Sequence, residues 1–100
     1  MKKRVYVSLP ISGRPIEEAK AEAERAKDVL MEAGYDPVTP FDIVPEPIGK
    51  TAKEQYAYCM GRDIEGLLRC DAIHLCRGHE GSKGCRLERM AAIIYGLDFI

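Results

Sequence analysis

The chain has 100 residues, of which 46% are hydrophobic and 31% charged, with a formal net charge of −1. That length suits one domain with one modest core, and the near-neutral balance gives no general attraction for a nucleic acid polymer or an anionic membrane. Trp is absent and Phe occurs only at 41 and 99, so the stacking platform of a single-strand binder is missing too.

The chain starts Met1-Lys2-Lys3-Arg4, followed by an apolar run from Val5 to Ile11 that Ser8 and Pro10 interrupt. The run is too short and broken for export or for a bilayer span, and the expected location is cytoplasmic. Val5 to Leu9 reads instead as a buried strand, rich in β-branched and aromatic residues. Pro10 to Pro15 is a loop with a Ser12-Gly13 turn. A helix follows, with Ile16, Ala19, Ala23, Ala26, Leu30 and Ala33 on one face and charges on the others, stopped by Gly34. Tyr35 to Thr39 is a weaker strand, placed at a sheet edge by Pro37. Phe41 to Lys50, with Pro45, Pro47 and Gly49, reads as a long loop.

Thr51-Ala52-Lys53-Glu54 has the capping-box pattern and opens a second predicted helix, running to about Arg69. Asp71 to Cys76 is a third strand and Arg77 to Gly81 a loop. Ser82 caps a third predicted helix that runs to about Tyr95, and Leu97 to Ile100 forms a fourth strand. Strand and helix alternate throughout, which implies a parallel sheet with right-handed crossovers. The expected fold is a three-layer, Rossmann/flavodoxin-like α/β arrangement of four strands in the order 2-1-3-4 with three helices.

In such a sheet, ligands bind at the carboxyl ends of the strands where strand order reverses. The loops Pro10–Pro15 and Arg77–Ser82 should meet there. Each precedes a helix whose first N–H groups are unpaired and carry partial positive charge, suited to an anion. A Ser-x-Gly such as Ser82-Lys83-Gly84 more often simply starts a helix. Two carboxylates alter that weighting. Glu88 has Cys85 and Ala92 as its helical neighbours, and Asp63 lies between Met60 and Leu67, so both acids sit at the edge of an apolar stripe. Acids placed this way are either buried and paired or part of a site. A facing pair suits glycosidic chemistry, in which one carboxylate attacks the anomeric carbon and the other handles the proton.

Cysteine and histidine chemistry is less well supported. Cys59, Cys70, Cys76 and Cys85 lack C-x-x-C spacing and read as reduced packing residues. His74 and His79 with Cys76 and Cys85 match no tetrahedral zinc pattern. Cys85 lies in the first turn of a helix, where a thiol pKa falls, but no partner is assignable to it.

The run Cys70-Asp71-Ala72-Ile73-His74-Leu75-Cys76, the segment Glu80-Gly81-Ser82-Lys83-Gly84-Cys85-Arg86-Leu87-Glu88 and the opening Tyr6-Val7-Ser8-Leu9-Pro10-Ile11-Ser12-Gly13 together resemble a family of small, functionally uncharacterised bacterial and phage proteins. That family is similar in turn to the nucleoside 2-deoxyribosyltransferases and the related deoxynucleoside 5′-monophosphate N-glycosidase. The resemblance implies that Glu88 is a nucleophile toward the anomeric carbon, that Asp63 stands near base and sugar, and that Tyr6 lines the sugar pocket. It implies that Ser82 binds a 5′-phosphate and that Gly84 lets substrate approach the backbone. Ser8, Ser12, Gly13 and Arg14 complete the expected substrate- and phosphate-binding set. Arg14 is the basic residue available where the glycosidase has one at the position of Ser12.

The resembling enzymes continue past the fourth strand with a fifth strand and a segment that completes a neighbouring subunit's site, whereas this sequence ends at Ile100. The function implied is cleavage or transfer at the N-glycosidic bond of a (deoxy)nucleoside or its 5′-monophosphate. No cofactor or metal is expected, the partner is a nucleoside or nucleotide, and a homo-oligomer is expected. The rival readings are a non-catalytic nucleotide-binding module and a small interaction protein.

Overall fold

The computed structural model describes residues 1–100. Four parallel strands form one sheet in the order β2-β1-β3-β4, a Rossmann/flavodoxin-like arrangement flanked by three substantial helices. Strand β1 (Arg4–Ser8) lies inside the sheet. Its side chains alternate between faces. Val5 and Val7 pack toward helix α1 (Ile16–Glu32) with its buried Ala19, Ala23 and Leu30. The small alanines let the helix lie close on the sheet. Tyr6 points to the opposite face and packs with Leu67, Ile73 and Ala92. With both faces covered, β1 is buried from Val5 onward.

Strand β2 (Asp36–Val38) is an edge strand, with Pro37 beside Val5. The segment after it, predicted as loop, contains one turn of helix, α2 (Pro40–Ile43). Its signal was the run Thr39-Pro40-Phe41-Asp42. Thr39 Oγ1 accepts from the Asp42 N–H at 3.2 Å, Asp42 Oδ2 accepts from the Thr39 N–H at 3.0 Å, and Pro40 sits in the first turn. This is a complete capping box, started by a proline whose missing N–H costs nothing there. Ile43 then seats against Gly66, where a side chain would collide with it.

Helix α3 (Ala52–Leu68) starts at Thr51, whose Oγ1 accepts from the Glu54 N–H at 3.1 Å. The reciprocal half of the predicted box is displaced by one residue: Glu54 accepts from the N–H of Lys50, at 2.8 Å. Strand β3 (Ala72–Leu75) pairs with β1, and a 3₁₀ turn at His79–Gly81 interrupts the predicted loop. Ser82 caps helix α4 (Lys83–Ile94), its Oγ accepting from the Cys85 N–H at 3.2 Å. Strand β4 (Asp98–Phe99) closes the sheet on its other edge and is shorter than the four residues predicted. No helix is long and apolar enough to cross a membrane.

Candidate active site

The chain leaves β1 for β2 on one side of the sheet and β3 for β4 on the other, so strand order reverses between β1 and β3. A cavity of about 640 Å³ opens at that point, beyond the carboxyl ends of both strands. It falls within the size range of pockets that hold small organic ligands. The β1 loop contributes Leu9, Pro10, Ile11 and Ser12; the β3 loop and the start of α4 contribute Gly78, Gly81, Ser82, Lys83, Gly84 and Cys85. Asp63 and Met60 come from α3, Glu88 from the second turn of α4.

Glu88 is held from the sheet. Tyr6 Oη donates to its Oε2 at 2.8 Å and Ser8 Oγ donates to its Oε1 at 2.7 Å. Tyr6, Ser8 and Glu88 are all buried, so alternate residues of β1 present two hydroxyls toward one carboxyl group beneath the cavity. Burial pushes the Glu88 carboxyl up to about 7, against the pull of the Ser8 and Tyr6 hydrogen bonds, which favour its charged form. The Tyr6 hydroxyl is itself pushed well up, first by burial and then by the Glu88 and Asp63 charges.

Asp63 is also buried, and its Oδ1 has no hydrogen-bond partner. Burial, then repulsion from Glu88, pushes its carboxyl up to about 7. Burial thus raises both carboxyls that line the cavity, and acids perturbed in this way beside a cleft are candidates for function.

The remaining sequence candidates separate by position. Ser12, Ser82 and Gly84 line the cavity, whereas Ser8 and Tyr6 reach it through Glu88. Gly84 faces α3 closely: a Cβ there would stand 3.3 Å from Met60 Sδ. Gly13 turns the β1 loop at φ +84° without lining the cavity. Arg14 points elsewhere, to Glu22 at 2.5 Å and Glu18 at 3.5 Å on α1. Carboxylates spaced along one helix face hold its guanidinium there.

Neither histidine lines the cavity; His74 Nδ1 lies 2.9 Å from the Ile100 carbonyl oxygen and His79 Nε2 3.3 Å from Glu80. No three of the His, Cys, Asp and Glu side chains cluster as a metal site would require. Burial raises the Cys85 thiol pKa despite the helix start, and that argues against a ready thiolate.

Tyr56, Met60, Pro40 and Lys83 also line the cavity and were not singled out from the sequence. Tyr56 and Met60 precede Asp63 by seven and three residues, one continuous helical stripe. Such a stripe fits a helix face packed on the sheet as well as a cavity wall. The stripe runs past the end of the sheet, so only its later part, at Leu67, packs on strands.

Fold and cavity together define an open parallel α/β protein with its pocket at the topological switch point. Residues 3–100 match the family described as "Domain of unknown function (DUF4406)". The chain belongs to that family. No curated protein matches it in sequence. Among solved structures it is similar to a 2-deoxyribosyltransferase from the psychrotolerant bacterium Bacillus psychrosaccharolyticus, at 19% identity and a TM-score of 0.67, over 96% of this chain and 69% of that one. At that identity the likeness is one of fold.

Proposed function

We propose that the protein cleaves or transfers at the N-glycosidic bond of a (deoxy)nucleoside or its 5′-monophosphate. The observation that carries this reading is the pair Asp63 and Glu88, two buried acids from different helices lining one cavity beside the start of α4. Glu88 attacks the anomeric carbon, forming a C–O bond as the C–N bond to the base breaks, and Asp63 delivers its proton to the departing base. Water, or a second base, then attacks the anomeric carbon, its proton passing to the Asp63 carboxylate as the ester C–O bond breaks and Glu88 is released. Tyr6 and Ser8 orient the carboxylate, and when Glu88 becomes an ester they lose a charged acceptor. Ser12, the Ser82 hydroxyl and the first N–H groups of α4 hold a phosphate or the sugar 5′-oxygen. The fold shared with a 2-deoxyribosyltransferase supports the same reading.

The test is incubation with deoxynucleosides and their 5′-monophosphates while free base is monitored. The wild-type chain is expected to release base, and Glu88→Gln to lose at least about a thousandfold in rate, as for removal of a covalent nucleophile. Base release by Glu88→Gln at the wild-type rate would overturn the mechanism. One observation favours a second reading, a nucleotide-binding module without turnover. Both Glu88 oxygens are already hydrogen-bonded, and burial pushes the carboxyl up to about 7, which keeps part of it in the neutral form that does not attack. That reading predicts a nucleotide-dependent rise in melting temperature, retained in Glu88→Gln, with no base released by either protein.

A further inference from the structure

The two buried acids of the cavity differ in what holds them. Both oxygens of Glu88 are taken by hydroxyls from β1. Asp63 is only 6% exposed, and its Oδ1 is closed to solvent and without a partner. No side-chain hydrogen bond of the protein reaches either of its oxygens. Buried polar groups are almost always paired, so an unpaired one that lines a cavity points to what the cavity takes up. The cavity is otherwise well supplied with apolar surface. Met60 and Tyr56 line it from the two turns of α3 before Asp63, and Leu9, Ile11 and Pro40 from other segments. Such walls suit a flat heterocycle, whose polar edge must be met by the few polar groups among them.

We infer that Asp63 selects the base by an amidine edge, a ring nitrogen with a free lone pair beside an exocyclic amino group. The substrates are then nucleosides or nucleotides of adenine or cytosine in preference to those of hypoxanthine or uracil. This rests on the reading of the cavity as a nucleoside site.

A neutral carboxyl group has one O–H donor and one carbonyl acceptor. Its O–H donates to the ring nitrogen and its carbonyl oxygen accepts from the amino group, so both Asp63 oxygens gain partners. An asparagine amide reads N6 and N7 of adenine by the same pattern. As Glu88 bonds to the anomeric carbon, the electron pair of the C–N bond passes to the base. The Asp63 proton moves along the existing hydrogen bond to the ring nitrogen, and the base leaves as a neutral tautomer. The carboxylate left behind accepts from the new ring N–H and from the amino group, so no partner is lost at either end of the step. Hypoxanthine sets a second acceptor, O6, beside N7, against the carbonyl oxygen of Asp63. Uracil has a hydrogen on N3 and no ring lone pair for the proton. Burial, by pushing the Asp63 carboxyl up to about 7, keeps part of it in the neutral form this pairing uses.

The test separates binding from turnover. Glu88→Gln, which lacks the attacking carboxylate, is titrated by calorimetry with 2′-deoxyadenosine against 2′-deoxyinosine and with 2′-deoxycytidine against 2′-deoxyuridine, each also as the 5′-monophosphate. The amino member of each pair is expected to bind at least about tenfold more tightly, as for one bidentate base contact. Adding Asp63→Asn, whose amide offers one donor and one acceptor, is expected to keep that preference. Adding Asp63→Leu is expected to erase it, since leucine has no polar atom there. Equal affinities within each pair, or a preference that survives Asp63→Leu, overturn the inference. Base release by the wild type with no preference for the amino members also overturns it, and leaves the glycosidic reaction standing. A preference in binding with no base released by the wild type supports the inference and overturns the reaction.

Discussion

Two hydroxyls on alternate residues of one strand, Tyr6 and Ser8, hold the two oxygens of Glu88. The strand period of two is what points both at one carboxyl group. Each donor favours the charged form, against a burial that favours the neutral one. Removing either donor should therefore raise the Glu88 pKa above about 7. A hydrogen bond to a charged group is worth about 1.5–3 kcal/mol, so Tyr6→Phe or Ser8→Ala should move the acidic limb of the rate–pH profile up by about one to two units. The profile of base release between pH 5 and 9 measures it. An unmoved acidic limb in both variants would mean that Glu88 is not the group whose ionisation activity requires. Ser8 was a candidate in the sequence only through the family resemblance. Glu88, to which it donates, is eighty positions away, and no local pattern reports such a pairing.

Between β2 and α3, a capped helix start and the packing of Phe41, Ile43 and Val44 order the chain together. Helix α2 has four residues and one buried side chain, Pro40, yet it carries both halves of a capping box and places Pro40 on the cavity wall. Thr39 is buried whereas Thr51 is exposed. Thr39→Ala should cost about 1–2 kcal/mol of stability and Thr51→Ala about half of that or less, because solvent can replace the lost cap at the exposed end. Urea unfolding of the two variants gives the comparison, and equal losses would contradict it. The pattern Thr-x-x-Asp was available in the sequence at 39–42, but a single turn of helix offers no periodicity to support it. The displaced bond from Glu54 to Lys50 is a matter of one residue in a backbone trajectory, below what spacing alone resolves.

The carboxyl pair leaves its mark on the stability of the whole molecule. Asp63 and Glu88 are both pushed up to about 7 in the folded protein, from ordinary values of 3.8 and 4.5. Between those values and 7 the folded state binds more protons than the unfolded one, so stability falls as pH rises through that window. The destabilisation is complete once both groups have ionised, above the folded-state values. Asp63→Asn removes one ionisable group while keeping its shape. The variant should come closest to the wild type near pH 3, below the ordinary value of 3.8, and melt at least about 4 °C higher at pH 8.5, the shift that about 1 kcal/mol produces in a chain of this size. A melting-temperature difference that does not grow with pH would show that Asp63 ionises without penalty. A site that costs stability at working pH is the usual sign of groups arranged for function and not for packing.

What the amino-acid sequence determined by itself is the order of the four strands and the three long helices, the parallel sheet and the helix starts at Thr51 and Ser82. These follow from local periodicity, from turn residues and from capping side chains close in the chain. It also marked Asp63 and Glu88, because an acid at the edge of an apolar stripe conflicts with its neighbours wherever the helix packs. Tertiary structure alone decided that the two acids line the same cavity, that hydroxyls from β1 grip one of them, and that Arg14 turns away to Glu22. It also decided that the apolar Leu87, Met90 and Ile94 lie on the outside of α4. These are relations between elements distant in the chain. They are set by how the helices lie across the sheet, a geometry to which no single segment's pattern refers.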